Sequence, residues 1–161
     1  MLELVTGKDT EVLNQKTALV DDALAPEIQV LLPEMITTMH KENGIGLAAP
    51  QIGKSLRVAV AEVENKQYFW VNPIITSFSE EKILFEEGCL SLPGQYFPMV
   101  RSEIVTLKYT DERGLPKKLR ATGLLAVVIQ HEVDHLDGIL ICERHQKQEK
   151  IREQKIYGRI D

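Results

Sequence analysis

An α+β fold is predicted for this 161-residue sequence by two segments of helical periodicity, near Pro26 and near His131, and by the short runs of β-branched and aromatic residues between them. The length fits a single domain over residues 1–161, large enough to bury a core. From Pro26 to Glu42, Ile28, Leu31, Leu32, Met35, Ile36 and Met39 recur at helical spacing, and Asn43-Gly44 supplies a C-cap. Pro33 predicts a kink or a later start, because within the helix it removes the hydrogen bond to Gln29 and its ring crowds that carbonyl. Strands are expected over Leu56 to Val63, Tyr68 to Ile75 and Ile104 to Tyr109, paired antiparallel, with turns at Asn72-Pro73 and Asp111 to Gly114. Thr122 is placed to cap a second helix that carries Leu124, Val127, Val128, His131 and His135 on one face and closes at Gly138. Glu143 to Lys155 has helical composition with only Ile151 as an interior apolar residue, which predicts a solvated C-terminal helix.

Composition narrows the functional classes. Apolar residues make up 43% and charged residues 27%, which is globular and excludes a disordered chain. The net charge of -5, with both signs spread along the chain, predicts no broad basic face and no DNA partner. Two cysteines, Cys89 and Cys142, are too few to staple a secreted fold and predict a reducing compartment. The first residues, Met1 to Thr6, lack a basic and apolar leader pattern, and no stretch approaches the ~18 apolar residues of a membrane span. The expectation is a soluble, cytoplasmic protein.

His131-Glu-Val-Asp-His135 matches H-E-x-x-H, in which two histidines four apart on one helical face hold a metal. Glu132 is rotated by roughly 100° from His131, so it stands beside a metal and not on it, the place of a general base for bound water. The plainer alternative is a surface helix with two ordinary histidines. These share their face with Leu124, Val127 and Val128, however, and two inward histidines without a metal need other partners. A third histidine, as metzincins have after the glycine, is missing because Ile141 holds that place. Glu143, Glu149 and Glu153 remain formally available as a third ligand, as in a zinc endopeptidase. Upstream, Glu87-Gly-Cys89-Leu-Ser91 offers a thiolate in a glycine-containing turn, a soft donor suited to two imidazoles. Cys89 can equally be a small buried hydrophobe, the reading given to Cys142.

Read together and in order, Gly44-Ile-Gly-Leu-Ala-Ala-Pro-Gln51, Glu87-Gly-Cys-Leu-Ser91 and Gln130-His-Glu-Val-Asp-His135 resemble the three signature motifs of peptide deformylases. The likeness runs over residues 10 to 145, through Asn72-Pro73, Arg101 and Gly123-Leu-Leu-Ala126. The resemblance implies antiparallel strands packed around a central metal-binding helix, with an N-terminal and a C-terminal helix. It implies a hydrolase that removes the formyl group from the N-terminal formylmethionine of nascent polypeptides and releases formate. Cys89, His131 and His135 would hold one divalent metal ion, Fe2+ in most of the family, although a Cys-His-His set also accepts Zn2+, Ni2+ or Co2+. The fourth position would hold water. Glu132 would shuttle the proton, and the Gln51 amide and the Leu90 backbone N–H would stabilise the oxyanion.

The same likeness places the peptide along Gly44, Gly46 and Gly88, and the methionine side chain among Ile45, Phe85, Leu124, Val127 and Val128. Without it these apolar residues read as ordinary core, and Gly44 and Gly46 serve tight packing after the first helix as readily as peptide approach. Arg101 corresponds to an arginine near the substrate, and an exposed arginine at a strand end is an equal reading. Pro33, Tyr96-Phe-Pro98 and the tail from Glu143 to Asp161 depart from the family pattern. The tail's slight basic excess allows a weak ribosome contact through phosphates, against the plainer reading of a solvated helix with ordinary charge pairs. Two other functions compete: a zinc endopeptidase with a glutamate ligand, and a non-catalytic peptide-binding or ribosome-associated domain.

Overall fold

A computed structural model describes residues 2–156, with side chains through residue 153. The first helix, α1 (Pro26–Lys41), runs unbroken through Pro33, so the later start is not observed. Pro26 opens it, where the missing N–H costs nothing. Asn43, in the left-handed region at φ 57°, ends it: Gly44 N–H reaches Met39 O at 2.9 Å and Asn43 N–H reaches His40 O at 3.1 Å, the paired bonds of a Schellman close.

Seven strands follow: β1 (Gly46–Ala48), β2 (Val58–Val63), β3 (Lys66–Phe78), β4 (Lys82–Cys89), β5 (Leu92–Ser102), β6 (Ile104–Thr110) and β7 (Pro116–Thr122). They form a five-stranded sheet in the order β1-β2-β3-β6-β7 and a two-stranded sheet of β4 and β5, antiparallel throughout. Two further helices, α2 (Gly123–Leu136) and α3 (Ile141–Ile156), complete the α+β architecture.

The larger sheet is buried on both faces along β2. Val58 and Val60 join Leu31, Leu32, Met35 and Met39 of α1 in one cluster. Ala59 and Ala61, pointing the other way, join Trp70, Leu107 and Ala126, Ile129 and Val133 of α2 in another. The small alanine face lets α2 lie close to the strand, which brings its first turns near β1 and the β4 hairpin.

Several expectations change here. Asn72-Pro73 is not a turn: β3 continues through it as a bulge, with Asn72 at φ 52° and the register shifting between Val71 and Ile74. The Asn72 amide clamps Val20, donating to its O at 2.8 Å and accepting from its N–H at 2.9 Å. The cysteine block is not a turn either, since Glu87, Gly88 and Cys89 finish β4 and the chain reverses at Leu90-Ser91. Thr122 stands at the N-cap of α2 but makes no side-chain capping bond. The Asp111–Gly114 turn is as expected, closed by Gly114 N–H to Asp111 O at 3.0 Å. Helix α3 is solvated only in its later turns: Ile141 is buried, residues 142–145 are half-buried where the helix packs on β5, and residues 151–153 are exposed, with Lys147–Glu143 and Arg152–Glu149 pairs on its surface. The last five residues of the expected basic tail lie outside the described residues.

Gly138 closes α2 at φ +76°, with Ile139 N–H to Asp134 O at 2.8 Å. A Cβ there would lie 2.8 Å from the backbone carbon of Gln15, and backbone cannot give way as a side-chain tip does. Gly138→Ala is therefore expected to lose more than about 1 kcal/mol of stability. Urea denaturation checks this, and an unchanged midpoint would refute it.

Candidate functional site

A cleft of about 660 Å³ opens between β1, the β4–β5 hairpin and the first turns of α2. Gly44, Ile45, Gly46, Gln51, Phe85, Gly88, Cys89, Leu90, Leu124, Val127, Val128, His131 and Glu132 all line it. His135 sits behind its wall, buried at 1% exposure. Arg101 is the one predicted site residue that lies away from the cleft.

One donor atom each from Cys89, His131 and His135 falls within 4.8 Å of the others. Cys89 Sγ is 3.2 Å from His135 Nε2, and a sulfur and a nitrogen on one tetrahedral metal would be about 3.5 Å apart, given bonds of roughly 2.3 and 2.0 Å. His131 turns its Nδ1 to Glu87 Oε1 at 2.9 Å, which leaves Nε2 for the cluster. Burial disfavours the Cys89 thiolate, but the adjacent His135 and His131 outweigh it and hold the thiol at about 5, so the sulfur is ready as an anionic ligand at neutral pH. The donor set fits a single divalent cation.

Glu132 is buried beside this cluster, and its Oε2 has no hydrogen-bond partner. Burial raises its carboxyl above the usual range, opposed by the charges of His131 and His135. Such an atom needs a partner, and a water held at the cluster would supply it. Gln51, also buried, lies in a short 3-10 turn, Ala49–Ile52. Its Oε1 accepts from Ala48 N–H at 2.9 Å, which fixes the amide so that Nε2 faces Ser91 Oγ at 3.4 Å and Cys89 Sγ at 3.6 Å.

Gly44 and Gly46 each leave room for a neighbouring side chain. A Cβ on Gly44 would lie 2.7 Å from Leu90 Cδ1, and one on Gly46 would lie 2.6 Å from Glu132 Oε1. Gly46 thus makes the room in which the carboxylate sits. Gly46→Ala is expected to displace that carboxylate, the flexible member of the pair, and to lower kcat by at least about tenfold with little loss of stability. A variant with wild-type kcat would show that the carboxylate position is not critical.

The sequence missed two contributors. Glu87, inside the cysteine block, is 4% exposed and receives Arg101 Nε at 2.8 Å and Nη2 at 2.9 Å, together with the His131 contact. Burial opposes its ionisation, yet the bonds from Arg101 and His131 hold its carboxyl at about 2. Arg101 is accordingly neither an exposed strand-end arginine nor a lining residue: it is 5% exposed and shared between Glu87 and Asp134. A glutamate two residues C-terminal of the apolar run Ile83-Leu84-Phe85 carries no signal of such a partnership. Tyr96 lines the cleft and lies over Gly88, where a Cβ would meet its ring at 2.7 Å. The tail glutamates Glu143, Glu149 and Glu153 do not line the cleft.

The family model for polypeptide deformylase matches residues 1–151. The chain belongs to the polypeptide deformylase family. Among deformylases, the peptide deformylase of Picosynechococcus sp. is 44% identical over 142 residues, covering 83% of this chain and 74% of that one. The peptide deformylase of Synechococcus elongatus, solved in complex with actinonin, superposes with a TM-score of 0.86 at 38% identity, covering 94% of this chain and 82% of that one. A Met-Ala-Ser-bound class I type b deformylase from Acinetobacter baumannii superposes with a TM-score of 0.84 at 35% identity, covering 89% and 98%. Among the described residues, no helix of this deformylase-family chain is long and apolar enough to cross a membrane.

Proposed function

We propose that the chain is one catalytic domain that removes the formyl group from the N-terminal formylmethionine of newly made polypeptides, releasing formate and a free amine. The observation that carries the reading is the convergence of Cys89, His131 and His135 beside an unpartnered, buried Glu132 oxygen. Family membership and a relative bound to Met-Ala-Ser support a peptide substrate.

In this reading α2 is the metal-binding helix, and Cys89, His131 and His135 hold one divalent ion. The family likeness favours Fe2+, and the soft thiolate with two imidazoles also suits Zn2+, Ni2+ or Co2+. Bound there, a divalent cation supplies Lewis acidity that activates water and polarises a carbonyl near neutral pH. The rest is done by the chain. Glu132 accepts the proton of the attacking water and delivers it to the amine nitrogen as the formyl C–N bond breaks. Gln51 Nε2, aimed by its bond to Ala48, and the Leu90 N–H donate to the oxyanion. Ile45, Phe85, Leu124, Val127 and Val128 enclose the methionine side chain. β1 is the edge of its sheet, paired on one side only, so Gly44 to Gly46 and Gly88 frame a groove in which an extended peptide adds as a strand. The two unpaired cysteines agree with a cytoplasmic setting.

Cys89→Ala is expected to lose the bound metal and all measurable formate release. Glu143→Gln, Glu149→Gln and Glu153→Gln should keep both. Metal analysis of anaerobically purified protein with a formate assay decides it. Full metal and turnover in Cys89→Ala would overturn the reading, and metal loss on changing a tail glutamate would favour the endopeptidase. Metal-loaded wild type that binds formyl-methionyl peptide without releasing formate would favour the non-catalytic domain.

A further inference from the structure

Helix α3 is tied to the proposed metal ligands by an unbroken series of charged contacts. Arg144, at the end of its first turn, donates Nη2 to Asp134 Oδ1 at 2.7 Å and Nε to Asp134 Oδ2 at 3.2 Å. The same Oδ2 accepts from Arg101 Nη1 at 2.8 Å. Arg101 grips both oxygens of Glu87, and Glu87 Oε1 meets His131 Nδ1. Side-chain exposure falls inward along the series, from 32% at Arg144 to 13% at Asp134 and 4% at Arg101 and Glu87. Two of the links are forked arginine–carboxylate pairs, which fix orientation as well as distance.

We propose that Arg144 is a positioning residue for His131, acting through Asp134, Arg101 and Glu87; the proposal rests on the metal site assigned above. Asp134 has two oxygens and two arginines. With Arg144 in place, Oδ1 is occupied and Oδ2 is presented to Arg101 in one direction. Without it, Asp134 turns toward Arg101 with both oxygens and draws the guanidinium from Glu87. The Glu87 carboxylate then no longer holds the His131 ring at one angle. Substitutions directly behind a metal-binding histidine typically cost ten- to a hundredfold in metal affinity. Arg144 acts at greater distance, so its effect should be smaller.

The competing role is plain docking of α3, and the structure supplies a control. Gln148 pairs both ways with the Val100 backbone of β5, donating to O at 2.8 Å and accepting from N–H at 3.0 Å. That clamp holds α3 through the backbone of β5 and bonds to no side chain of the charged series.

The test loads wild type, Arg144→Leu, Gln148→Ala, Asp134→Asn and the Asp134→Asn/Arg144→Leu double variant with Co2+, then follows metal release into excess chelator together with Tm. Arg144→Leu is expected to release metal about three- to tenfold faster than wild type, with an altered cobalt absorption spectrum. Gln148→Ala should lower Tm while its release rate and spectrum match wild type. The double variant should release no faster than Asp134→Asn alone, because both remove one path. Equal release from Arg144→Leu and Gln148→Ala, or a wild-type rate in Arg144→Leu, would overturn the proposal and leave the metal site standing. A wild type that binds no Co2+ would instead bring down the metal site itself, and this role with it.

Discussion

Glu132→Gln is expected to keep its metal and lose turnover by about a hundredfold to ten-thousandfold, the usual contribution of a general acid–base. The amide is nearly isosteric with the carboxylate, so the space beside Gly46 stays filled and the fold is undisturbed. What disappears is the ability to take a proton from water and return it to the amine. The pH profile carries a second signature. Burial raises the Glu132 carboxyl above its ordinary 4.5, and the working form is the ionised one. Activity should therefore fall as pH drops through the Glu132 titration, giving kcat/KM an acid limb that is missing from the variant's residual rate. Stopped formate assays across pH, with metal content measured on the same samples, test both parts. A variant within a few-fold of wild type would remove Glu132 from the mechanism.

Arg101→Leu should produce the largest loss of stability, about 3–5 kcal/mol, because it leaves the buried Glu87 carboxylate without its forked cation, while Asp134 keeps Arg144. The penalty comes mainly from the stranded Glu87 charge and not from the lost attraction. Its pH dependence has a definite sign. Glu87 is held at about 2, below its ordinary 4.5, so its ionised form stabilises the native state fully above 4.5 and progressively less as pH falls toward 2. The gap between wild type and Arg101→Leu should narrow over that window. Urea titrations of both proteins, stripped of metal, provide the measurement at each pH. A gap that stays below 1 kcal/mol at neutral pH, on the order of a surface pair, would mean that water reaches the site and that Glu87 is not held by Arg101.

Much of the site could be read from the chain because its parts are local. The His131–His135 spacing fixes two donors on one face of any helix, and α2 forms where Leu124, Val127 and Val128 predict it. The strands Val58–Val63 and Ile104–Thr110 appear near their expected bounds, since their residues alternate or run apolar as buried strands must. β4 and β5 were not predicted as strands. Their outward residues Leu84, Phe85, Tyr96 and Val100 are apolar and exposed, so the two-residue alternation that marks a half-buried strand is blurred. Asn72-Pro73 reads as a turn by composition, yet the Val20 backbone captures the asparagine amide and the strand carries on.

The sequence by itself determined the helices, most of the central sheet and the placing of two histidines on one helical face, because helical pitch and strand pleat act over a few residues. Only the tertiary structure decided where Glu87 and Arg101 point. Arginine at position 101 is compatible with solvent, substrate or an ion pair, and its choice is made by Glu87 fourteen residues away and Asp134 thirty-three away. Long-range charge pairing depends on which groups lose water together, and that is settled when the hairpin closes on α2.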